Sequence, residues 1–452
     1  MTCVKDISQL AQNMAGPVLT RHDRDYDQIR QVHNGMIDRK PKLIARCKNK
    51  NDVAKALKYG VKHVHQIAVR GGGHNVAGRA VCDGGLMIDL SLMNGIKVDP
   101  ISQKVRAEAG VCWGEFNEAT QAYGLTTTGG AVSSTGIAGL TLGGGFGYLM
   151  GKHGYTIDNL LSVDLITPDG RQLTASKSEN ADLFWGLRGG GGNFGIATHF
   201  EYALHPVGPI VYGGLIAFDM ADRDKVLSYM HSAAENSQPE RTAVCSLTHL
   251  ADGSGRKLSA ILACHCGTAE QAKSFLEELR VIAPPVVDQL GPISYSELNT
   301  LLDAGFPKLA LNYWKSRFIK SMSAEVVKIL STQFAACPPS LSKLIIERPH
   351  GAALEPSPTD TAFPHRSPGY SVLILGQWTD ASQSDAIVEW VRNTFDLLGP
   401  HSEPGAYSNY LNDDEYDARC SEAFGVNLQR LKALKRKFDP NNVLHLNQNI
   451  EP

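Results

Sequence analysis

Three glycine-dense blocks constrain this chain more than anything else in it. The first is Arg70-Gly71-Gly72-Gly73-His74-Asn75, directly after an apolar strand pattern and followed by Gly78 and Asp83-Gly84-Gly85. The second, Gly129-Gly130-Ala131-Val132-Ser133-Ser134-Thr135-Gly136-Ile137-Ala138-Gly139, runs into Gly143-Gly144-Gly145-Phe146-Gly147, and the third is Arg188-Gly189-Gly190-Gly191-Gly192-Asn193-Phe194-Gly195. Consecutive glycines let backbone amides converge on an oxyanion with no β-carbon in the way, so the first block reads as an anion-binding nest whose natural guest is a pyrophosphate. The plainer reading is a tight strand-to-strand turn with an incidental histidine. In the second block Ser133, Ser134 and Thr135 can donate to phosphate while the glycines admit the backbone close to a flat ring system.

The third block contains a formal GxGxxG from Gly190 to Gly195, the dinucleotide fingerprint of a strand-turn-helix unit. Here the order is reversed: 181–187 has a helical pattern and 196–202 a strand pattern, so that reading is rejected. No Gly-x-x-x-x-Gly-Lys-Ser/Thr loop occurs.

A chain of 452 residues exceeds what one core usually organises, so at least two lobes are expected. An α/β lobe is predicted from a strand at 43–47, a helix at 51–63 capped by Asn51 or Asp52, and strands at 66–70 and 86–89. Short strands and tight loops dominate to about residue 205. Beyond Pro206 glycine thins out, with helices predicted at 225–234 and 269–279 and strands at 243–250 and 257–264. The run 415–438 reads as one helix ending at Asp439-Pro440, and the apolar stretch after it is expected to dock back on the first lobe.

The 44 basic and 46 acidic side chains are intermixed, which argues against nucleic acid as a partner. Lys5, Asp6, Gln9, Gln12 and Asn13 interrupt any apolar leader, and no stretch approaches the roughly 18 uninterrupted apolar residues of a membrane span. Nine scattered cysteines, an odd number, do not form a disulfide framework. A cytoplasmic, reducing setting fits these features. Cys264 and Cys266 flank His265, and strand alternation sends the sulfurs to one face and the imidazole to the other, so buried structural cysteines are expected and no metal site.

The three blocks, in this order and spacing, resemble the FAD-linked oxidases of the vanillyl-alcohol oxidase superfamily, and more narrowly the berberine bridge enzyme-like group. Further signatures carry the likeness over nearly the whole chain: Asp158-Asn159-Leu160, Thr361-Ala362-Phe363-Pro364-His365-Arg366, Tyr407-Ser408-Asn409-Tyr410 and Leu446-Asn447-Gln448-Asn449-Ile450. The resemblance implies an α+β fold: a PCMH-type FAD-binding domain over 1–205, an α/β substrate domain with an antiparallel sheet covered by helices over 206–404, and a C-terminal segment, 405–452, returning to the FAD domain.

It also implies FAD bound covalently through His74 alone, because Val132 stands where many relatives carry a second, cysteine attachment; Cys82 and Cys112 are read as structural. The cofactor contacts it carries over are Arg70, Gly71, Gly72, Gly73, His74, Asn75, Gly78, Val132, Ser133, Ser134, Thr135, Gly136, Gly139, Gly143, Gly144, Gly147, Asn159, Ile196, Tyr407, Asn409, Asn447 and Asn449. Tyr407 is the expected base, Asn409 its neighbour at the flavin and substrate, and Glu347 the candidate carboxylate to polarise Tyr407, with Tyr410 a lesser partner. His365 and Arg366 are expected to hold the second lobe against the first.

Trp314 is expected on the opposite side of its strand from Tyr313 and Lys315. The implied reaction oxidises a CH–OH group of a small organic or sugar substrate, including secondary-metabolite alcohols, with molecular oxygen as acceptor and hydrogen peroxide as product. Oxidation of a CH–NH group, or a dehydrogenase with another acceptor, is the alternative.

Overall fold

A computed structural model describes residues 2–235, 237–250, 252 and 254–452. Strands Leu43–Arg46, Leu86–Asp89 and Ile67–Arg70 pair in parallel in that spatial order, and a short strand, Val18–Leu19, closes the edge antiparallel to Leu43–Arg46. Helix Lys50–His63 connects two of them. Its cap is Asn49, whose side chain accepts from the N–H groups of Asn51 (3.0 Å) and Asp52 (3.1 Å), and not Asn51 or Asp52 as the pattern had placed it. Asp52 instead gathers the N–H groups of Ala15 and Gly16 at 2.9 and 3.0 Å, tying the chain's first segment to the helix.

A second, five-stranded antiparallel sheet follows, ordered Ile96–Asp99, Lys104–Glu108, Ile196–Ala203, Leu160–Ile166, Gln172–Ser176. The helix Ala181–Leu187 precedes the third glycine block and the strand Ile196–Ala203 follows it, the reverse of a dinucleotide fingerprint. One contiguous core joins both sheets and takes in Leu431, Leu434, Phe438, Leu444 and Ile450 from the tail.

The third sheet has nine strands between Ile210–Asp219 and Ser402–Glu403, every pairing antiparallel. Helices Arg223–Glu235, Ala269–Arg280, Ala324–Ala336 and Ser384–Leu398 supply side chains such as Val226, Phe275, Phe334 and Trp390 to the core on one face. Strand alternation decides what the other face presents. In Lys343–Glu347, Leu344 and Ile346 enter that helix-covered core, worth about 1.5–3 kcal/mol each, whereas Ile345 and Glu347 point away from it. Likewise Cys264 packs with Tyr148 and Leu262, and His265 turns toward Phe275.

The single helix expected over 415–438 is two, Tyr416–Phe424 and Leu428–Phe438, with a 3-10 turn between them. Gly425 sets the break with φ of 45°, in the left-handed region. An N-terminal helix, Thr2–Asn13, had no sequence expectation. Among the described residues no helix is long and apolar enough to cross a membrane, no His/Cys/Asp/Glu group could hold a metal, and Cys82 and Cys112 are free thiols.

Candidate active site

The strand Ile67–Arg70 delivers the first glycine loop, and Arg70 fixes where that loop begins. Its guanidinium forks onto the buried Asp89 carboxylate (Nε to Oδ1 3.0 Å, Nη2 to Oδ2 2.9 Å) and donates to the carbonyls of Ile29 and Gln31. Arg70 is thus a brace at the end of two parallel strands rather than a lining residue. Beyond it the first and second blocks touch backbone to backbone: a β-carbon on Gly136 would sit 2.3 Å from the Gly72 nitrogen, and one on Gly72 equally close to that of Gly136. Only glycine at both positions allows that approach.

The loops enclose the front of a cavity of about 360 Å³. Gly71, Gly72, Gly73, His74, Asn75, Val132, Thr135, Gly136, Gly139, Gly143, Gly147 and Ile196 line it, as do Tyr407, Asn409, Asn447 and Glu347. Of the other expected contacts, Arg70, Gly78, Ser133, Ser134, Gly144, Asn159 and Asn449 stand behind the wall. Ser134 still reaches the site through His74. Asn159 binds the carbonyls of His153 and Tyr155 and the ring of His205, and Asn449 accepts from the Cys420 thiol through its carbonyl.

His74 presents its imidazole to this cavity between two hydroxyls, Nε2 at 3.0 Å from Ser134 Oγ and Nδ1 at 3.5 Å from Thr135 Oγ1. Burial, reinforced by the neighbouring His33, pushes its pKa down to about 3, so the ring is neutral across the physiological range.

Tyr407 stands in an aromatic pile. Its ring stacks on Phe146 at 4.3 Å, Phe146 stacks on Tyr155 at 5.0 Å, and Phe363 and Tyr410 meet Tyr407 edge-on. The phenol oxygen accepts from the Gly145 N–H at 3.1 Å and the Asn409 amide at 3.0 Å. Gly145 reaches that position with φ of 89°, and a β-carbon there would lie 2.2 Å from Thr156 Oγ1. Burial raises the phenol above its ordinary range, while the two donors act the other way by favouring the phenolate.

Arg366 holds this corner together: both of its terminal nitrogens lie 2.7 Å from Asp158 oxygens, and it donates to the carbonyl of Ala353. That is the bracing role expected of it. His365 supports the same corner through the Ala423 carbonyl at 3.1 Å.

Glu347 is placed differently from its expectation. Both carboxylate oxygens face Tyr410 Oη, at 3.1 and 3.0 Å, and Ser371 Oγ donates at 3.3 Å, so its direct partner is Tyr410 and not Tyr407. Burial pushes its pKa up to about 7 against the opposing hydroxyls of Tyr410 and Ser371.

The remaining wall belongs to the third sheet and the segment before Leu311–Ile319. Trp314, Val244, Ile345, Leu373, Leu302 and Phe306 face the cavity. Tyr313 and Lys315 turn to the far side, where Tyr313 Oη meets Asp414. Alternation separates Trp314 from Tyr313 and Lys315 without choosing which side meets the cavity. Leu302 and Phe306 lie in a segment without strand periodicity, and nothing in their spacing marks them.

The tail closes the cavity's other end. Asn193 of the third block donates to the carbonyls of Gly190 and Gln448 and accepts from the Ile450 N–H, and the buried Lys435 ammonium binds the Asn193 carbonyl and Asp439. Asn447 lines the cavity with its Oδ1 unpartnered. The site tests well against a flavin dinucleotide on three counts: a glycine cradle, with open space where a Gly139 β-carbon would be; an unsatisfied amide oxygen; and a neutral histidine at the wall.

Residues 41–176 match the family described as FAD binding domain, and residues 406–451 the family described as berberine and berberine like. A FAD-linked oxidoreductase of Dictyostelium discoideum is 28% identical over 449 residues, covering 99% of this chain and 97% of that one. The (R)-6-hydroxynicotine oxidase of Paenarthrobacter nicotinovorans is 28% identical over 459 residues, 97% of each. The crystal structure of 6-hydroxy-D-nicotine oxidase from Arthrobacter nicotinovorans aligns with a TM-score of 0.88 at 28% identity, over 97% of this chain and 98% of that one. Berberine bridge enzyme from Eschscholzia californica shares the fold with a TM-score of 0.88 at 21% identity, over 99% of each chain.

Proposed function

From the premise that this chain is a FAD-linked oxidoreductase of the berberine bridge enzyme-like group, we propose that it holds FAD covalently through His74 and oxidises a CH–OH carbon of a small organic molecule, with dioxygen as acceptor and hydrogen peroxide as product. One observation carries this reading: a single cavity is lined both by a neutral imidazole on a glycine loop and by a phenol whose oxygen is held by two donors.

FAD, when bound, supplies the hydride acceptor. The chain's own residues do the rest. Tyr407 takes the substrate hydroxyl proton at its phenol oxygen, and the Gly145 N–H and Asn409 amide stabilise the phenolate form that makes this possible. The Phe146 stack fixes the plane of that ring. Backbone of the first and second blocks, with Asn447, holds the dinucleotide. Trp314, Phe306, Leu302 and Leu373 exclude water and favour a compact substrate with an apolar body over a sugar.

A second reading, oxidation of a CH–NH carbon, is favoured by the buried Glu347 carboxylate on the same wall, which complements an ammonium group; one relative is named (R)-6-hydroxynicotine oxidase.

Anaerobic mixing with a panel of alcohols, amines and sugars separates the readings by which class bleaches the flavin bands. Bleaching by secondary alcohols, and one peroxide per turnover in air, is the expected result. Bleaching by amines alone selects the second reading, and failure of every class removes both. Reduction without peroxide in air makes the protein a dehydrogenase.

A further inference from the structure

The imidazole on the glycine loop does not stand alone. His33 lies flat against it, ring centroids 4.1 Å apart and planes 20° from parallel. His33 is 5% exposed and its Nε2 is buried without a hydrogen-bond partner.

Its backbone is tethered on both sides. The His33 N–H donates to the Gly73 carbonyl at 3.0 Å, and its carbonyl accepts from the Leu309 N–H at 2.8 Å. The first tether is one residue from His74. The second runs to the segment that carries Leu302 and Phe306 over the cavity, which is also anchored where the Asp303 carboxylate accepts from the Ser133 N–H at 2.9 Å.

We propose that His33 is the positioning residue for flavin attachment: stacked on His74 and tethered through its backbone to Gly73 and Leu309, it fixes the plane of the reacting ring. The inference rests on the reading that His74 carries the flavin. Attachment trades a methyl C–H of the flavin and the imidazole N–H for one C–N bond; the two protons leave, and the two electrons pass to the flavin and from there to dioxygen.

An imidazolium cannot supply the nitrogen lone pair that bond needs. The titratable and charged groups that act on His74 are His33 and Lys308, and on His33, Lys308. Burial first, then His33 and Lys308, hold His74 uncharged, so the ring enters the reaction with its lone pair free.

The test uses the full-length chain made in riboflavin-starved cells, mixed with FAD in air, and followed by the flavin that survives acid precipitation. His33→Ala should attach flavin at least tenfold more slowly than the parent at pH 8. His33→Phe, which keeps a stacking ring, should stay within about threefold of the parent at pH 8. Parental rates in His33→Ala, or a His33→Phe as slow as His33→Ala, would overturn the stacking role. A parent chain with no acid-stable flavin brings down the linkage through His74 itself, and the His33 assignment with it, whereas a slow His33→Ala beside an attaching parent leaves the linkage standing.

Discussion

The two walls of the cavity are made of different material. The front wall, 71–75 and 130–147, is rich in glycine: Gly72 and Gly136 meet each other, and Gly147 meets the backbone of Gly129, at distances that leave no room for a side chain. The back wall is side chain laid on a regular sheet, with Val244, Ile345, Glu347, Leu373 and Trp314 standing on one face of strands whose other face is core. A backbone wall admits one shape and tolerates nothing added. A side-chain wall can be rewritten position by position while the sheet beneath it holds.

That contrast predicts its own severest test. Gly136→Ala places a methyl group 2.3 Å from the Gly72 nitrogen, with only backbone to give way, and should yield protein devoid of flavin absorbance and unfolding several degrees lower. A yellow, stable variant would show that the front wall yields as easily as the back. Next in size, Tyr407→Phe keeps the aromatic pile and removes the proton acceptor, so the hydride step in stopped flow should slow by about 10²–10⁴-fold with substrate affinity little changed. Equal reduction rates would reject Tyr407 as base.

On the back wall the effects are smaller. Glu347→Gln should slow reduction roughly tenfold and abolish an inflection near pH 7, because the parent's carboxyl is protonated below that point and ionised above it. The same shift has a sign in stability. Between 4.5 and about 7 the unfolded chain has lost a proton that the folded chain retains, so stability falls as pH rises through that window, and chemical denaturation of Glu347→Gln should show a flatter profile there. Least of all, Trp314→Ala should raise KM about tenfold while the limiting rate of reduction moves less than threefold. An equal loss in both would make Trp314 part of the machinery that places the reacting carbon.

How much of this was legible in the sequence follows from the same division of material. Glycine is a statement about backbone, so Gly72, Gly136 and Gly145 announce a close approach before any partner is known, and His74 is visible as the one histidine among them. The sheet strands declare two faces by alternation, yet alternation alone cannot say which face meets helices and which meets the cavity. Hence alternation gives Val244, Ile345 and Leu373 no cavity role, and Glu347, expected beside Tyr407, instead meets Tyr410. Arg70 misleads for a local reason: it opens the glycine loop, but the acid it answers, Asp89, lies nineteen residues on, at the end of the neighbouring parallel strand. Asn159 reads as a cofactor contact within its motif, and its partners prove to be backbone carbonyls and a histidine. Side-chain amides look alike in sequence whichever way they turn.

The clasp between Asn193 and the tail bears on how the protein is made. Lys435 and the carbonyl it secures are 242 residues apart, so the loop at 189–195 emerges from the ribosome long before the turn that braces it. Until then the third side of the nest has no backing, and a nascent chain can offer FAD only a half-built berth. Completion of the nest therefore waits on the arrival of the last helix rather than on the birth of the glycine loops.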